Sequence, residues 1–444
     1  MKFLTVTTFL FIIISVLVLI NFFTEKLKNK AIGYIFLAII LFGFVLRILA
    51  VIYIPCEPVS DYYTMFSAAK SLANGGNPFT YGSYFQRFPH MTAFPVLCAF
   101  LMKVFGTGVY VIKIFNVIFK TFAICAAGLI GRELFDKKGM LSATFLYAVF
   151  LPDIFYTPVT ATENFALVFL LFSLLFYIKA YKSDTTKETL KNAVFCGVIL
   201  SFGCLLRGVA PFYLAAYFAG ILFVFKGIKN KLLSLAGILV SYILIFQIVS
   251  LSLFYSGITE YKLSDKGEPY VVYMLVGSNF ETNGMYSSED HGVYLDAGED
   301  PELASEIATE KLIKRITENK EKIVPLLIKK TDIVWGDASF NSIYWSMYEN
   351  GMAADNSFAP IAMSLCKTTY HFLIVLTVIA AALYKKWRMS FMLALLPLAF
   401  EGGLMLMEIQ PRYTFSVAYI FVIFGTVGFC VLFNIIKQKF ITKE

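Results

Sequence analysis

Long apolar runs, most of them close to the length needed to cross a bilayer and parted by short polar segments, dominate this sequence from its third residue almost to its end. They occupy 3–23, 31–54, 109–130, 141–157, 161–181, 192–206, 209–225, 232–255, 361–384, 390–407 and 413–436. About twenty apolar residues cross the hydrocarbon core as a helix. The pattern therefore predicts an all-α, polytopic membrane bundle of about eleven transmembrane helices. Two amphipathic pieces fit the membrane surface better than its interior. In 60–76, Tyr62, Met65, Phe66, Ala69 and Leu72 recur on one helical face, Ser60 or Asp61 heads the segment, and Gly75 and Gly76 end it. The run 91–105 is only fifteen residues long, with Pro95 inside and Lys103 near its end. Both are read as juxtamembrane helices.

The long polar stretch 256–360 separates an N-terminal transmembrane module, 1–255, with its first outer loop at 55–108, from C-terminal helices in 361–444. The first part of this large loop is rich in Gly, Asn, Asp and Ser and reads as irregular. Its later part, 304–330, sets Ile307, Leu312, Ile316, Ile323 and Leu327 at helical spacing and predicts surface helices. A loop of this length is either functional or a solvated cap.

Composition agrees with the pattern: 58% of residues are hydrophobic and 15% charged. The seven cysteines form no CxxC pair and no Cys/His ligand spacing, so neither a disulfide framework nor a structural zinc site is indicated. The net charge of +8 is unevenly spread, because 18 of the 30 acidic residues but only 9 of the 38 basic ones fall in 256–360. Short basic loops on one side and an acidic large loop on the other are what the positive-inside rule produces, and no nucleic-acid partner is needed to explain the charge. With eleven crossings, and 91–105 kept out of the bilayer, the basic loops all fall on the cytoplasmic face. The same parity sends the unusual polar groups to the external face: Asp61, Arg87, His90, Glu163, Arg207, the large loop, and Glu408 with Arg412.

A carboxylate at a membrane boundary with several guanidinium groups nearby suits transfer of a group from a lipid phosphate to a hydroxyl or amine. The carboxylate takes the acceptor's proton while the cations stabilise the departing phosphate. Asp61 is the candidate base, with helix capping, orientation of the nucleophile or metal holding as its alternatives. Arg87, Arg207 and Arg412 are candidate phosphate ligands, since arginine's fork matches phosphate oxygens in pairs; interfacial anchoring is the alternative for the last two. Tyr62 and His90 are supporting candidates for the acceptor or the lipid headgroup. Glu163 is either of that kind or an acid serving a helix N-terminus, and Glu408, Gln410 and Tyr413 either join the site or close the turn before the last span with Arg412. Arg47, inside the second span, either snorkels or is functional. No GxxxxGK phosphate loop occurs, which argues against a nucleotide-hydrolysing transporter, and no internal repeat is evident, which weighs against inverted-repeat transporters.

An Arg-bearing span (FVLRILAVIYIP), an outer loop opening with Asp before an Ala-rich helix (SDYYTMFSAAKSLANGGNPF), then LFDKKG, TATENF, LRGVAPFYL and EIQPRY follow one another in order. Together they resemble the membrane-embedded GT-C glycosyltransferases, and among them the bacterial protein-mannosyltransferase-like enzymes of glycosyltransferase family 39, which include the aminoarabinose transferase of lipid A. The resemblance implies an inverting transferase that draws on a polyprenyl-phosphate sugar, undecaprenyl phosphate being the bacterial carrier. It implies a multi-pass protein of the cytoplasmic membrane, with its active site on the extracytoplasmic face and a glycan, lipid or protein as acceptor. The family's catalytic aspartate falls on Asp61 and its phosphate-facing basic residue on Arg87. Tyr62 stands where many members have Glu, a departure from a two-carboxylate or metal-bridged site. No cofactor is fixed by the sequence, a divalent metal being the one candidate. Two other functions share the pattern, a transporter or flippase of lipid-linked sugars and a glycan polymerase or ligase.

Overall fold

A computed structural model describes residues 2–349 and 358–441; part of the large loop (350–357) and the last three residues of the basic tail lie outside it. The regular structure among the described residues is all helical, with no strand. In chain order the helices are α1 (Lys2–Phe23), α2 (Asn29–Tyr53), α3 (Ser60–Ala73), α4 (Tyr84–Arg87), α5 (Ala93–Phe105), α6 (Val109–Ala148), α7 (Leu151–Tyr156), α8 (Thr162–Lys182), α9 (Thr186–Leu206), α10 (Ala210–Val224), α11 (Ile228–Tyr255), α12 (Tyr270–Gly277), α13 (Ser288–Asp296), α14 (Pro301–Glu318), α15 (Lys320–Gly336), α16 (Phe358–Leu383), α17 (Trp387–Leu406) and α18 (Tyr419–Ile441).

Nine of the described helices are long and apolar enough to cross a membrane, against the eleven predicted. The difference lies in two places. α10 is apolar but has only 15 residues, and Val109–Ala148 counts once although its two arms, parted at Phe135 and Asp136, are the two predicted runs. α6 is not straight. At Phe135 and Asp136 the backbone leaves the helical region, Asp136 with φ 54°, and the chain folds back on itself. The two arms touch so closely that a Cβ on Gly131 would stand 2.3 Å from the carbonyl oxygen of Gly139. Only glycine tolerates this crossing, which explains the Gly residues on either side of the basic RELFDKK elbow.

α8 is the central helix, packed between α6 and α9, while α9 also packs on α11, α16 on α18, and α10 on α17. The outer faces of α1, α2 and α11 carry exposed Phe11, Leu41, Ile52, Val240 and Leu244, an apolar surface suited to lipid. α3 packs on α5, and at 13 residues α5 is about 20 Å long, too short to span. The first part of the large loop is more ordered than its composition suggests. It contains α12 and α13, the latter capped by the Ser287 hydroxyl, which accepts from the amide of Asp290. α14 and α15 cover the predicted surface-helical region and part at Asn319.

Arg47 does not snorkel. It is fully buried and donates through Nη2 to Asp153 Oδ2 at 2.6 Å, while Lys120 Nζ reaches Asp153 Oδ1 at 2.9 Å. The guanidinium also donates to the carbonyls of Gly43, Tyr147 and Ala148. This buried cluster ties α2, α6 and α7 together, and so sets the position of Tyr156 at the end of α7.

Candidate functional site

The backbone of α3 brings Asp61 to its place. Val59 occupies the N-cap position in extended conformation with no side-chain cap. Ser60 has φ 52°, a left-handed conformation that costs a non-glycine residue energy and tends to persist where function holds it. Asp61 lies in the first turn and caps nothing. Its Oδ2 accepts from Arg412 Nη2 at 2.9 Å, and its Oδ1 lies 3.4 Å from the Tyr84 hydroxyl. Burial, reinforced by the Asp61 charge, raises the Tyr84 phenol above its ordinary range, so it serves as a donor.

Arg412 sits in the seven-residue 3-10 helix Pro411–Val417 that leads into α18. Its Nη1 donates to the Tyr62 hydroxyl at 3.2 Å, and the rings of Tyr62, Trp345 and Tyr413 surround the guanidinium at 5.5, 5.2 and 5.8 Å. Tyr62 in turn meets the Tyr156 hydroxyl at 3.2 Å, and Tyr156 stacks on Phe415. Arg412 is thus fixed from three sides, whereas the Asp61 side chain keeps 35% of its surface exposed.

Two more guanidinium groups face the same space. Arg87, at the end of α4, donates to Glu268 at 2.5 Å and to the carbonyl of His291 at 3.0 Å. The loop reaches it because Gly267 carries no side chain; a Cβ there would lie 2.3 Å from the Arg87 carbonyl oxygen. Arg207, just after α9, pairs with Glu163 at 3.3 Å and lies over the Tyr413 ring. Glu163 is in the first turn of α8, and its other oxygen accepts from the Thr162 hydroxyl.

His291, on α13, bridges Glu268 at 3.2 Å and Glu408 at 3.0 Å. Desolvation pushes the imidazole down, but the hydrogen bonds and charges of the two carboxylates outweigh it and raise its pKa to about 9. Both ring nitrogens therefore donate. Glu408 also accepts from Gln410 and from the Tyr413 hydroxyl. The segment is braced from below by Lys330 on α15, which is buried and donates to the carbonyls of Gly277, Met405 and Met407. The result is a continuous latch, Arg87 to Glu268 to His291 to Glu408, between the first outer loop, the large loop and the end of α17.

Asp61, Arg87, His90, Arg207, Glu408, Gln410, Arg412 and Tyr413 all line one cavity of about 1400 Å³. Of the predicted residues, Tyr62 and Glu163 stand just behind its wall, each touching a lining arginine. His90 is held against Gly208. Reading the sequence missed Glu268 and His291 as site members, since a lone acid and a lone His in an irregular loop carry no pattern, and Tyr84 among many aromatics. Lys120 and Asp153 did carry a signal, as charges inside apolar runs.

The arrangement does not suit a divalent metal. No group of three His, Cys, Asp or Glu side chains able to hold one occurs among the described residues. Asp61 contacts Arg412 and Tyr84, while Glu268 and Glu408 are held by Arg87 or His291, so the metal alternative for Asp61 finds no second carboxylate among its hydrogen-bond partners.

A family model described as dolichyl-phosphate-mannose-protein mannosyltransferase matches residues 89–254, from the turn before α5 to the end of α11. A search of curated proteins returns no match. Among solved structures, the oligosaccharyltransferase of Archaeoglobus fulgidus in its apo form superposes with a TM-score of 0.56 at 16% identity, over 94% of this chain and 52% of that one. The likeness is one of fold, shared with that archaeal enzyme over most of this chain. The same archaeal enzyme in complex with an inhibitory peptide and a dolichol-phosphate aligns at TM-score 0.52 and 16% identity, over 92% of this chain and 51% of that one. ArnT from Cupriavidus metallidurans, bound to undecaprenyl phosphate, aligns more loosely, at TM-score 0.39 and 13% identity, over 90% of this chain and 78% of that one. The chain spans about half the length of the archaeal oligosaccharyltransferase it matches.

Proposed function

We propose that this protein is a multi-pass glycosyltransferase of GT-C type in the cytoplasmic membrane that moves a sugar, with inversion, from a polyprenyl-phosphate donor to an acceptor at the extracytoplasmic face. The observation that carries the reading is the partly exposed carboxylate of Asp61 set against the fixed guanidinium of Arg412, on a cavity that Arg87 and Arg207 also line. In this reading the acceptor hydroxyl gives its proton to Asp61 as its oxygen attacks the anomeric carbon. The bond from that carbon to the phosphate oxygen breaks, and its electron pair leaves with the polyprenyl phosphate. The arginines stabilise the charge that gathers there, and Tyr84 orients Asp61.

A lipid donor also needs an apolar berth beside the charged one. Phe212 on α10, and Phe400, Leu404 and Met407 on or next to α17, line the same cavity, which gives the first prenyl units an apolar flank between two membrane helices. The family description names a dolichyl-phosphate sugar and the archaeal enzyme was solved with dolichol-phosphate, both in keeping with such a donor. An external site has no nucleotide sugars to draw on, so a lipid-carried sugar is the chemically sensible supply. A flippase would place essential charge where it can move across the bilayer. The intramembrane charges Arg47, Lys120 and Asp153 are instead fully buried against each other.

The experiment supplies right-side-out membrane vesicles with a panel of radiolabelled polyprenyl-phosphate sugars. Vesicles carrying the protein should move label from the lipid fraction to an acceptor. Label that stays in the lipid fraction for every donor, as in vesicles lacking the protein, would contradict the reading.

A further inference from the structure

Each of the three cavity arginines is already paired with a carboxylate: Arg412 with Asp61, Arg87 with Glu268 and Arg207 with Glu163. A phosphate entering this space must therefore compete for its cations. The three pairs are not equivalent. Glu268 and Glu163 have side chains with no exposed surface, and Glu268 is held in addition by His291. In the third pair the carboxylate is the accessible half, 35% exposed, and the guanidinium is the fixed half, 8% exposed. Asp61 engages Arg412 through Nη2 alone, and the buried Nε–H of Arg412 has no hydrogen-bond partner among the described residues. The Nε and Nη2 edge of a guanidinium is one that a phosphate takes with two oxygens at once. A one-point contact to a movable carboxylate thus stands where a two-point contact to phosphate could form.

We propose that Arg412 changes partners during the reaction cycle, from Asp61 in the empty site to the donor phosphate in the loaded one. This rests on the reading given under Proposed function. The exchange makes substrate entry ordered. Until a lipid-linked phosphate arrives, the Oδ2 of Asp61 is occupied by Arg412; when the phosphate takes the guanidinium, Asp61 is released toward the acceptor, still tethered by the Tyr84 hydroxyl. After transfer Asp61 carries the acceptor's proton and the polyprenyl phosphate keeps Arg412. Once Asp61 gives that proton to water, its restored charge competes for Arg412 again and helps expel the product. Asp61 is then both the proton acceptor and the group that sets donor affinity.

The test measures binding of undecaprenyl phosphate to the purified full chain in phosphatidylcholine nanodiscs. If the exchange operates, Asp61→Asn, nearly the same in shape but uncharged, binds undecaprenyl phosphate roughly tenfold more tightly than the native protein, the worth of removing one competing charge-assisted contact. Arg412→Gln binds it at least about tenfold more weakly, and in the Arg412→Gln background Asp61→Asn brings no gain. Affinity unchanged or weaker in Asp61→Asn, with Arg412→Gln still impaired, overturns the exchange while leaving the transferase reading intact. A native protein that does not bind undecaprenyl phosphate overturns both. Should Asp61→Asn fold poorly, Tyr84→Phe gives a second reading: the proposal expects its donor affinity to stay within about twofold of native, because Tyr84 tethers Asp61 without holding Arg412, and a tenfold change would overturn it.

Discussion

His291 spans Glu268 and Glu408 with both ring nitrogens, and what it does to the site depends on its proton. Its pKa is raised to about 9 in the folded protein, so the stabilisation is fully present below the ordinary histidine range near 6.5 and is lost as pH rises through about 9. Protease resistance of the segment around α13 should therefore be flat below about pH 6, fall between about pH 6.5 and 9, and level off above that. In His291→Gln it should be lower at neutral pH and lose that pH dependence. A wild-type protein whose resistance does not change up to pH 10 would show that the latch is not held by the imidazolium.

At the scale of helices, two devices set the site's frame. Asp153 neutralises Arg47 and Lys120 deep between α2, α6 and α7. Asp153→Ala leaves two cations buried without their carboxylate and should cost about 3–5 kcal/mol, read as a lowered melting temperature in detergent. The α6 elbow depends on bare glycines, and Gly131→Val would press a side chain into the Gly139 carbonyl. About 1–3 kcal/mol of destabilisation is expected, again in a melting experiment. Much of this frame was legible in the sequence. Apolar runs give the helices, and the short length of α5 could be read directly from its run of fifteen residues. The break at the elbow was legible as a basic gap between two apolar runs, but the tight glycine contact of its arms was not, because a hydrophobicity pattern records where apolar residues stop, not how closely the arms return. Nor was α13, whose Ser287 cap and whose Asp290, accepting from Asn279, order a stretch that composition reads as loop.

For the molecule as a whole, the chain gathers groups from both ends, Asp61 near the start and Arg412 near the finish, onto one cavity. That meeting was legible from membrane parity, because charges on one side of a bilayer have few other places to go. The partners were not. Each arginine's acid was chosen by packing between distant segments, as Glu268 is by the close approach at Gly267. The topology carries its own prediction: Ser288, exposed at the start of α13, should react as Ser288→Cys with a membrane-impermeant thiol reagent in intact cells. Six of the seven native cysteines are buried and Cys125 is half-buried, so they should contribute little background. Labelling only after cell lysis would place the cavity on the wrong face.

Sugar transfer by Asp61→Asn membranes tests the central claim most directly. With a labelled polyprenyl-phosphate sugar and protein levels matched to wild type, the account predicts a fall of about 10²- to 10⁴-fold, the contribution of a positioned general base. Transfer at the wild-type rate would contradict it.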